Sequence, residues 1–285
     1  MKIQDYQNAH LFLEELEPIL LEQEAVNQLL LNNATHLKDK EVSSDHFFGK
    51  ATSDDGAILL IFLHMSPFNV LVCERVPFSL ELVEYFVTHV LSLGVEVRGI
   101  NASYLFASNF CARMKEKTGR TFYQRLAMDI MVCKKLNPVT LPLGRFRLAT
   151  RDDFNLLNHW YVAFVQEAMG DTASIEEVTE KNKSKIEEEK LHFYEDEYGQ
   201  VVSMAISSRI LKKGVSISLV YTDPSKRNKG YGMAVTYHLT QKILKMGNEY
   251  ATLFVDKMNP ISNRVYLKLG YEIIQENYDF RFEEK

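Results

Sequence analysis

Cysteine is scarce in this sequence: Cys73, Cys111 and Cys133 are the three present, and none sits in a CxxC pair. That number and scatter exclude a disulfide framework, so a reducing cytoplasm is the expected home. Positive charge is not in excess either, with 33 Lys and Arg against 38 Asp and Glu and a formal net charge of −5. A duplex-binding stripe is therefore absent, and no nucleic-acid partner is expected. Long apolar runs are missing too. The longest, AILLIFL from Ala57 to Leu63, falls far short of the roughly 18 residues that suggest a membrane span. The acidic, amphipathic opening MKIQDYQNAHLFLEELEP fits neither a signal peptide nor a transit peptide. His, Cys and Asp form no cluster with metal-ligand spacing, so no metal site is expected.

What is present is ordinary for a globular protein, at 46% hydrophobic and 25% charged residues. The length of 285 residues suits two domains of the usual size. Apolar spacing predicts helices across Asp5–Leu37, with Pro18 opening the second of them. Strands are expected over His46–Ala51, Ala57–His64 and Val70–Glu74, joined by the turns SDDG and SPFN as antiparallel hairpins. A helix over Leu80–Leu93, a short strand VRGI, a helix over Ala102–Lys117 and two closing strands complete this half.

The segment NPVTLPLG, with two prolines and a glycine, reads as a boundary. It divides the chain into residues 1–136, a linker at 137–143 and a second domain at 144–285. The second half repeats the grammar: a strand at Phe146–Thr150, helices at Asp152–Met169 and Ser174–Glu188, then strands at Leu191–Glu195, Gln200–Arg209 and Val215–Thr222. A helix to Lys245, the strand ATLFV, a short helix through Tyr266 and two closing strands follow. ASNFCARMKEKTGRTFYQ in the first half aligns with ISNRVYLKLGYEIIQ in the second. A period of about 145 residues is a duplicated domain, since solenoid repeats are far shorter.

The residues RNKGYG, Arg227 to Gly232, stand between an apolar strand and an amphipathic helix. A helix N-terminus exposes unpaired N–H groups and partial positive charge. Glycine keeps side chains away from an approaching anion and reaches positive φ without steric cost. Arg227 and Lys229 add fixed charge, and together these features make a phosphate cradle. A Walker loop is excluded because GxxxxGK[ST] does not occur. A dinucleotide fingerprint fails because Val235 stands where its third glycine belongs and Asp256 comes too late.

RNKGYG, with VYTDP before it and LFVDKMNPISNRVYLKLGYE after it, resembles the RxxGxG signature of the Gcn5-related N-acetyltransferase (GNAT) superfamily. The resemblance covers about residues 144–285. It implies an α/β (α+β) fold of two tandem domains of this type, each a mixed, mostly antiparallel sheet flanked by helices. It also implies acetyl-CoA as co-substrate: Val220, Tyr221 and Thr222 toward the pantetheine arm, Arg227, Asn228, Lys229, Gly230, Tyr231 and Gly232 around the diphosphate, Asn259 and Ser262 at the cofactor edge, and Tyr266 as the proton donor to the leaving sulfur. The thioester carbonyl would lie where strands Val215–Thr222 and Ala251–Val255 part.

The first half has the same order of elements without RxxGxG, and Ala112 stands opposite Tyr266, so it reads as a degenerate copy that binds no cofactor. The general base is not legible. Glu167, Glu195 and His192 could each reach an acceptor groove, and each also reads as a solvated surface residue. His159 and Trp160 lie on an amphipathic helix, and Glu176–Lys190 reads as a solvated helix rimming the groove. The expected activity is direct acetyl transfer to a primary amine, on a small molecule or a protein, by a monomer or homodimer. The alternative is a non-catalytic acyl-CoA-binding or regulatory module.

Overall fold

The computed structural model describes residues 1–40 and 43–283 and divides into two compact units: Met1–Asp129 with Gln275–Lys285, and Ile130–Ile274. The segment 137–143, expected as a linker, lies inside the second unit, and residues 275–285 belong to the first.

In the first unit the elements are β1 (Lys2–Asp5), α1 (Ala9–Leu20), α2 (Glu24–Leu37), β2 (Phe47–Thr52), β3 (Ile58–His64), β4 (Val70–Glu74), α3 (Leu80–Ser92), β5 (Gly99–Ala102) and α4 (Tyr104–Thr118). β1 to β4 pair antiparallel in sequence order, and β4 pairs parallel with β5. The hairpins expected from SDDG and SPFN are present. Pro18 lies inside α1, and the break comes later, at the 3-10 turn Leu21–Gln23. Near a helix C-terminus the lost proline N–H costs one bond and leaves the remaining turn intact. Apolar residues of α1 and α2 pack on one face of the sheet with Phe48, Ile61 and Leu63. Those of α3 and α4 pack on the other with Phe62, Val70 and Ile100.

β6 (Phe122–Cys133) runs on into the second unit, which continues with β7 (Gly144–Leu148), α5 (Phe154–Met169), α6 (Ile175–Glu187), β8 (Leu191–Asp196), β9 (Val201–Ile210), β10 (Gly214–Thr222), α7 (Tyr231–Lys245), β11 (Tyr250–Asp256) and α8 (Pro260–Leu269); β12 (Glu272–Phe282) ends the described chain. Here β7 to β10 pair antiparallel in order and β10 pairs parallel with β11. The first unit has the same succession, so the repeat read in the sequence is a repeat of topology. Each half closes on one long strand where two short ones were expected.

The closing strands are exchanged between the units. Residues 275–282 of β12 belong to the first unit, where Tyr278–Arg281 pair antiparallel with Gly99–Ala102 and Phe280 and Phe282 enter the core. Residues 130–133 of β6 belong to the second unit, where Met131 and Cys133 join the core under α7 and α8 and the Thr252 hydroxyl donates to the Met131 carbonyl at 2.8 Å.

Candidate functional site

β10 and β11 pair over three residues only, Gly214↔Tyr250 to Ser216↔Thr252. Beyond them β10 loses register with β9 between Ser218 and Tyr221, and Leu219 adopts φ 54°. A leucine at positive φ is uncommon, and a bulge bends its strand and sharpens its twist. Past Ser216 β10 therefore no longer pairs with β11, while Tyr221 and Thr222 still pair with Met204 and Ser203 of β9, and a wedge opens between the two parallel strands. Val220, Tyr221 and Thr222, expected along the pantetheine arm, form the end that has parted from β11.

After Thr222 the Asp223 carboxylate accepts from the Ser225 N–H at 2.8 Å, and a 3-10 turn spans Pro224–Lys226. The chain then enters left-handed conformations at Asn228 (φ 63°) and Gly230 (φ 82°) before α7 begins. No side chain caps α7, and the first backbone bond to close on it runs from the Ala234 N–H to the Gly230 carbonyl at 2.9 Å. The N–H groups of Tyr231, Gly232 and Met233 therefore precede the helical ladder and are available to an anion. A Cβ on Gly232 would stand 3.1 Å from the Thr222 hydroxyl, so the loop approaches the strand end closely.

The three cations here have different partners. Lys226 reaches the Asp196 carboxylate at 3.2 Å and Gln200 at 2.7 Å. Arg227 donates to the Thr222 carbonyl (3.1 Å) and to Glu167 (2.6 Å), while Lys229 forms no ion pair among the described residues. Pro142, from the expected linker, comes within 3.5 Å of where a Cβ on Gly230 would lie and accepts from the Tyr194 hydroxyl at 2.7 Å. The proline-rich segment thus packs behind the loop.

Asn259 caps α8 by accepting from the Ser262 N–H at 3.1 Å, giving both residues a local structural role that the sequence reading lacked. Tyr266 is buried in the core under α7, 5.8 Å from the ring of Tyr271. Burial raises its phenol well above the ordinary value and keeps it protonated. Its hydroxyl makes no hydrogen bond among the described residues. Tyr271 by contrast is tied to Thr240 at 2.6 Å.

On the α5 and α6 side of β10 lies a cavity of about 620 Å³, lined among others by Tyr161, Glu180, Lys185, Ser208, Ser218 and Leu219. It falls in the size range of small-molecule sites and adjoins the bulge. Residues Glu180 to Lys190 of the expected rim contribute five of its lining side chains.

The base candidates separate. Glu195 is bound to Arg147, which also grips Asp153. His192 is buried, not solvated, at 2% exposure. It stacks flat on Phe146 at 5.0 Å and lies 2.9 Å from the Lys242 ammonium. Burial first, and Lys242 second, push its pKa down to about 4. Glu167 accepts from Arg227 and from the Tyr221 hydroxyl at 3.3 Å. Trp160 packs against Phe193 and Tyr221 in the core, and the His159 ring approaches the Asn155 carbonyl at 2.7 Å on its own helix. Sequence reasoning missed the Leu219 bulge, the Arg227–Glu167 pair and the cavity on β9 and β10. No residue type marks the bulge, and the other two join segments far apart in the chain.

Among the described residues, no group of His, Cys, Asp and Glu could hold a metal ion, and no helix is long and apolar enough to cross a membrane. Residues 196–280 match the model of a family described as FR47-like protein. Comparison with curated proteins gave no match. Among solved structures, the chain is similar to an acetyltransferase from the GNAT family from Colwellia psychrerythraea, at 15% identity and a TM-score of 0.57, with all of both chains covered. It is likewise similar to a GCN5-related N-acetyltransferase from Sphaerobacter thermophilus, at 13% identity and a TM-score of 0.59, covering 89% of this chain and 84% of that one. A conserved protein of unknown function from Staphylococcus epidermidis matches at 12% identity and a TM-score of 0.53, covering 82% and 94%. By its strand succession, its parted parallel strands and these likenesses, the chain has the fold of the GCN5-related N-acetyltransferases, with an FR47-like segment from residue 196 to residue 280.

Proposed function

We propose that the second unit transfers an acetyl group from acetyl-CoA directly to a primary amine, and that the first unit is a copy without a coenzyme site. One observation carries the reading: an uncapped helix N-terminus, opened by Gly230 at φ 82°, follows across a short turn a strand that has parted from its parallel neighbour. The N–H groups at the start of α7, with Lys229 and Arg227, would hold the diphosphate. The free backbone edge of Val220–Thr222 would hold the pantetheine arm, and the cavity beside Leu219 would admit the amine. Acetyl-CoA supplies the activated thioester. As the amine nitrogen bonds to the carbonyl carbon, the carbon–sulfur bond breaks, the thiolate takes its proton from the Tyr266 hydroxyl, and the proton shed by the nitrogen passes to water, from which the phenolate is reprotonated.

The first unit has the equivalent helix, α3, but the Ser79 hydroxyl accepts from its Leu82 N–H at 3.3 Å, and Glu81 occupies its first turn. A side-chain cap and a carboxylate there oppose a second anion. Three buried free cysteines support a cytoplasmic setting.

The packing of the Tyr266 ring into the core favours a second reading, a non-catalytic acyl-CoA-binding module. Calorimetric titration with acetyl-CoA, with NAD and ATP as controls, tests the cradle. One site per chain is expected, lost in Gly230→Val, whose side chain is strained at positive φ. Binding of two equivalents, or preference for a control, overturns the proposal. Coenzyme binding without thiol release on any amine of a broad panel establishes the module instead.

A further inference from the structure

Glu167 lies in the last turn of α5, where the helix dipole disfavours a carboxylate. It is held there from outside the helix. Arg227 Nη2 donates to its Oε2 at 2.6 Å, and the Tyr221 hydroxyl donates to its Oε1 at 3.3 Å. Arg227 Nε meanwhile donates to the Thr222 carbonyl, and the guanidinium lies 5.4 Å from the centre of the Tyr221 ring. The arginine of RNKGYG is thus oriented, stacked and charge-balanced by a residue 60 positions earlier in the chain. Both members of the ion pair are substantially exposed, Arg227 at 41% and Glu167 at 45%, so the pair is weak and open to exchange.

We propose that Glu167 competes with the coenzyme diphosphate for Arg227 and so sets the affinity for diphosphate-bearing ligands. The inference rests on the coenzyme reading above. A diphosphate seated on the N-terminus of α7 would draw on the same guanidinium that Glu167 holds through Nη2, and two anions at one guanidinium repel each other. Arg227 would therefore loosen its hold on Glu167 when ligand binds. Glu167 is then an affinity-setting residue of the cradle, and its carboxylate is not the base.

The test is calorimetry on the full chain with coenzyme A and with pantetheine, which lacks the diphosphate. Glu167→Gln removes the charge and keeps an acceptor for Tyr221. It should bind coenzyme A about twofold to tenfold more tightly than the unaltered protein, in line with the small strength of an exposed ion pair plus relief of repulsion. Pantetheine affinity should not change. Tyr221→Phe, which keeps the carboxylate, should shift coenzyme A affinity less than Glu167→Gln does. Unchanged or weaker coenzyme A binding by Glu167→Gln, or an equal gain for pantetheine, overturns the competition while leaving the coenzyme site in place. Failure of both proteins to bind coenzyme A overturns the site and the competition together.

Discussion

Tyr266 carries the sharpest conflict between packing and chemistry. Its ring is part of the core, yet its hydroxyl makes no hydrogen bond among the described residues and so stays free for the acid role proposed above. Tyr266→Phe should lower turnover by at least about tenfold, in the range of a lost general acid, with coenzyme affinity and thermal midpoint little changed; unaltered turnover would leave only the packing role. His192 makes a separate prediction. With its folded pKa lowered to about 4, from about 6.5 when unfolded, it binds its proton in the unfolded chain first. Stability it leaves intact above pH 6.5 is lost as pH falls from 6.5 toward 4. Denaturant midpoints should fall between pH 7 and 4.5 by an amount worth about 2 kcal/mol more in the unaltered protein than in His192→Gln. Parallel slopes would show that the imidazole is already charged in the fold. At this scale RNKGYG was legible because the geometry it marks is local: a turn, a positive φ and a helix start occur within six residues. The partner of Arg227 was not, since nothing near Glu167 in sequence announces where its carboxylate will land.

Elements were legible where one face is buried and turn residues bound them. Val70–Glu74 and Leu191–Asp196 fall within a residue of expectation because alternation and flanking turns agree. β1 was not, being four residues long and exposed at three of them, too short for a period to register. The closing strands were read as pairs, although each is one strand crossing between two cores, with a different burial pattern at each end. The helices α3 and α7 give the element-scale contrast. They occupy the same place in the repeated order, yet one is closed by Ser79 and the other left open by Gly230. Ser79→Ala should lower the stability of the first unit by about 1 kcal/mol, the usual value of such a cap. Coenzyme binding by the second unit should be untouched. Hydrogen exchange at the first turn of α3, faster in the variant and unchanged at α7, would check both parts.

The duplication was legible in the whole chain, and the exchange of closing strands was not, because an exchanged strand has the same sequence as one that stays. It changes what a domain boundary means. Residues 1–136 lack Phe280 and Phe282, two aromatic side chains buried in the first core, worth about 1.5–3 kcal/mol each. Residues 137–285 lack Met131 and Cys133, also buried. Each fragment expressed alone should be unstable or loosely packed by near-ultraviolet dichroism, and coexpression should restore a stable complex. Two fragments that fold separately to native spectra would show the exchange to be dispensable. The same feature sets a clock on synthesis. Ile100 and Phe106 leave the ribosome well before Phe280 and Phe282, the side chains that complete their core. At usual elongation rates that interval is about ten to thirty seconds. During it the first unit presents an unfinished apolar edge to chaperones and to other nascent chains, so low expression temperature or chaperone supply should govern yield more than codon choice in the N-terminal half.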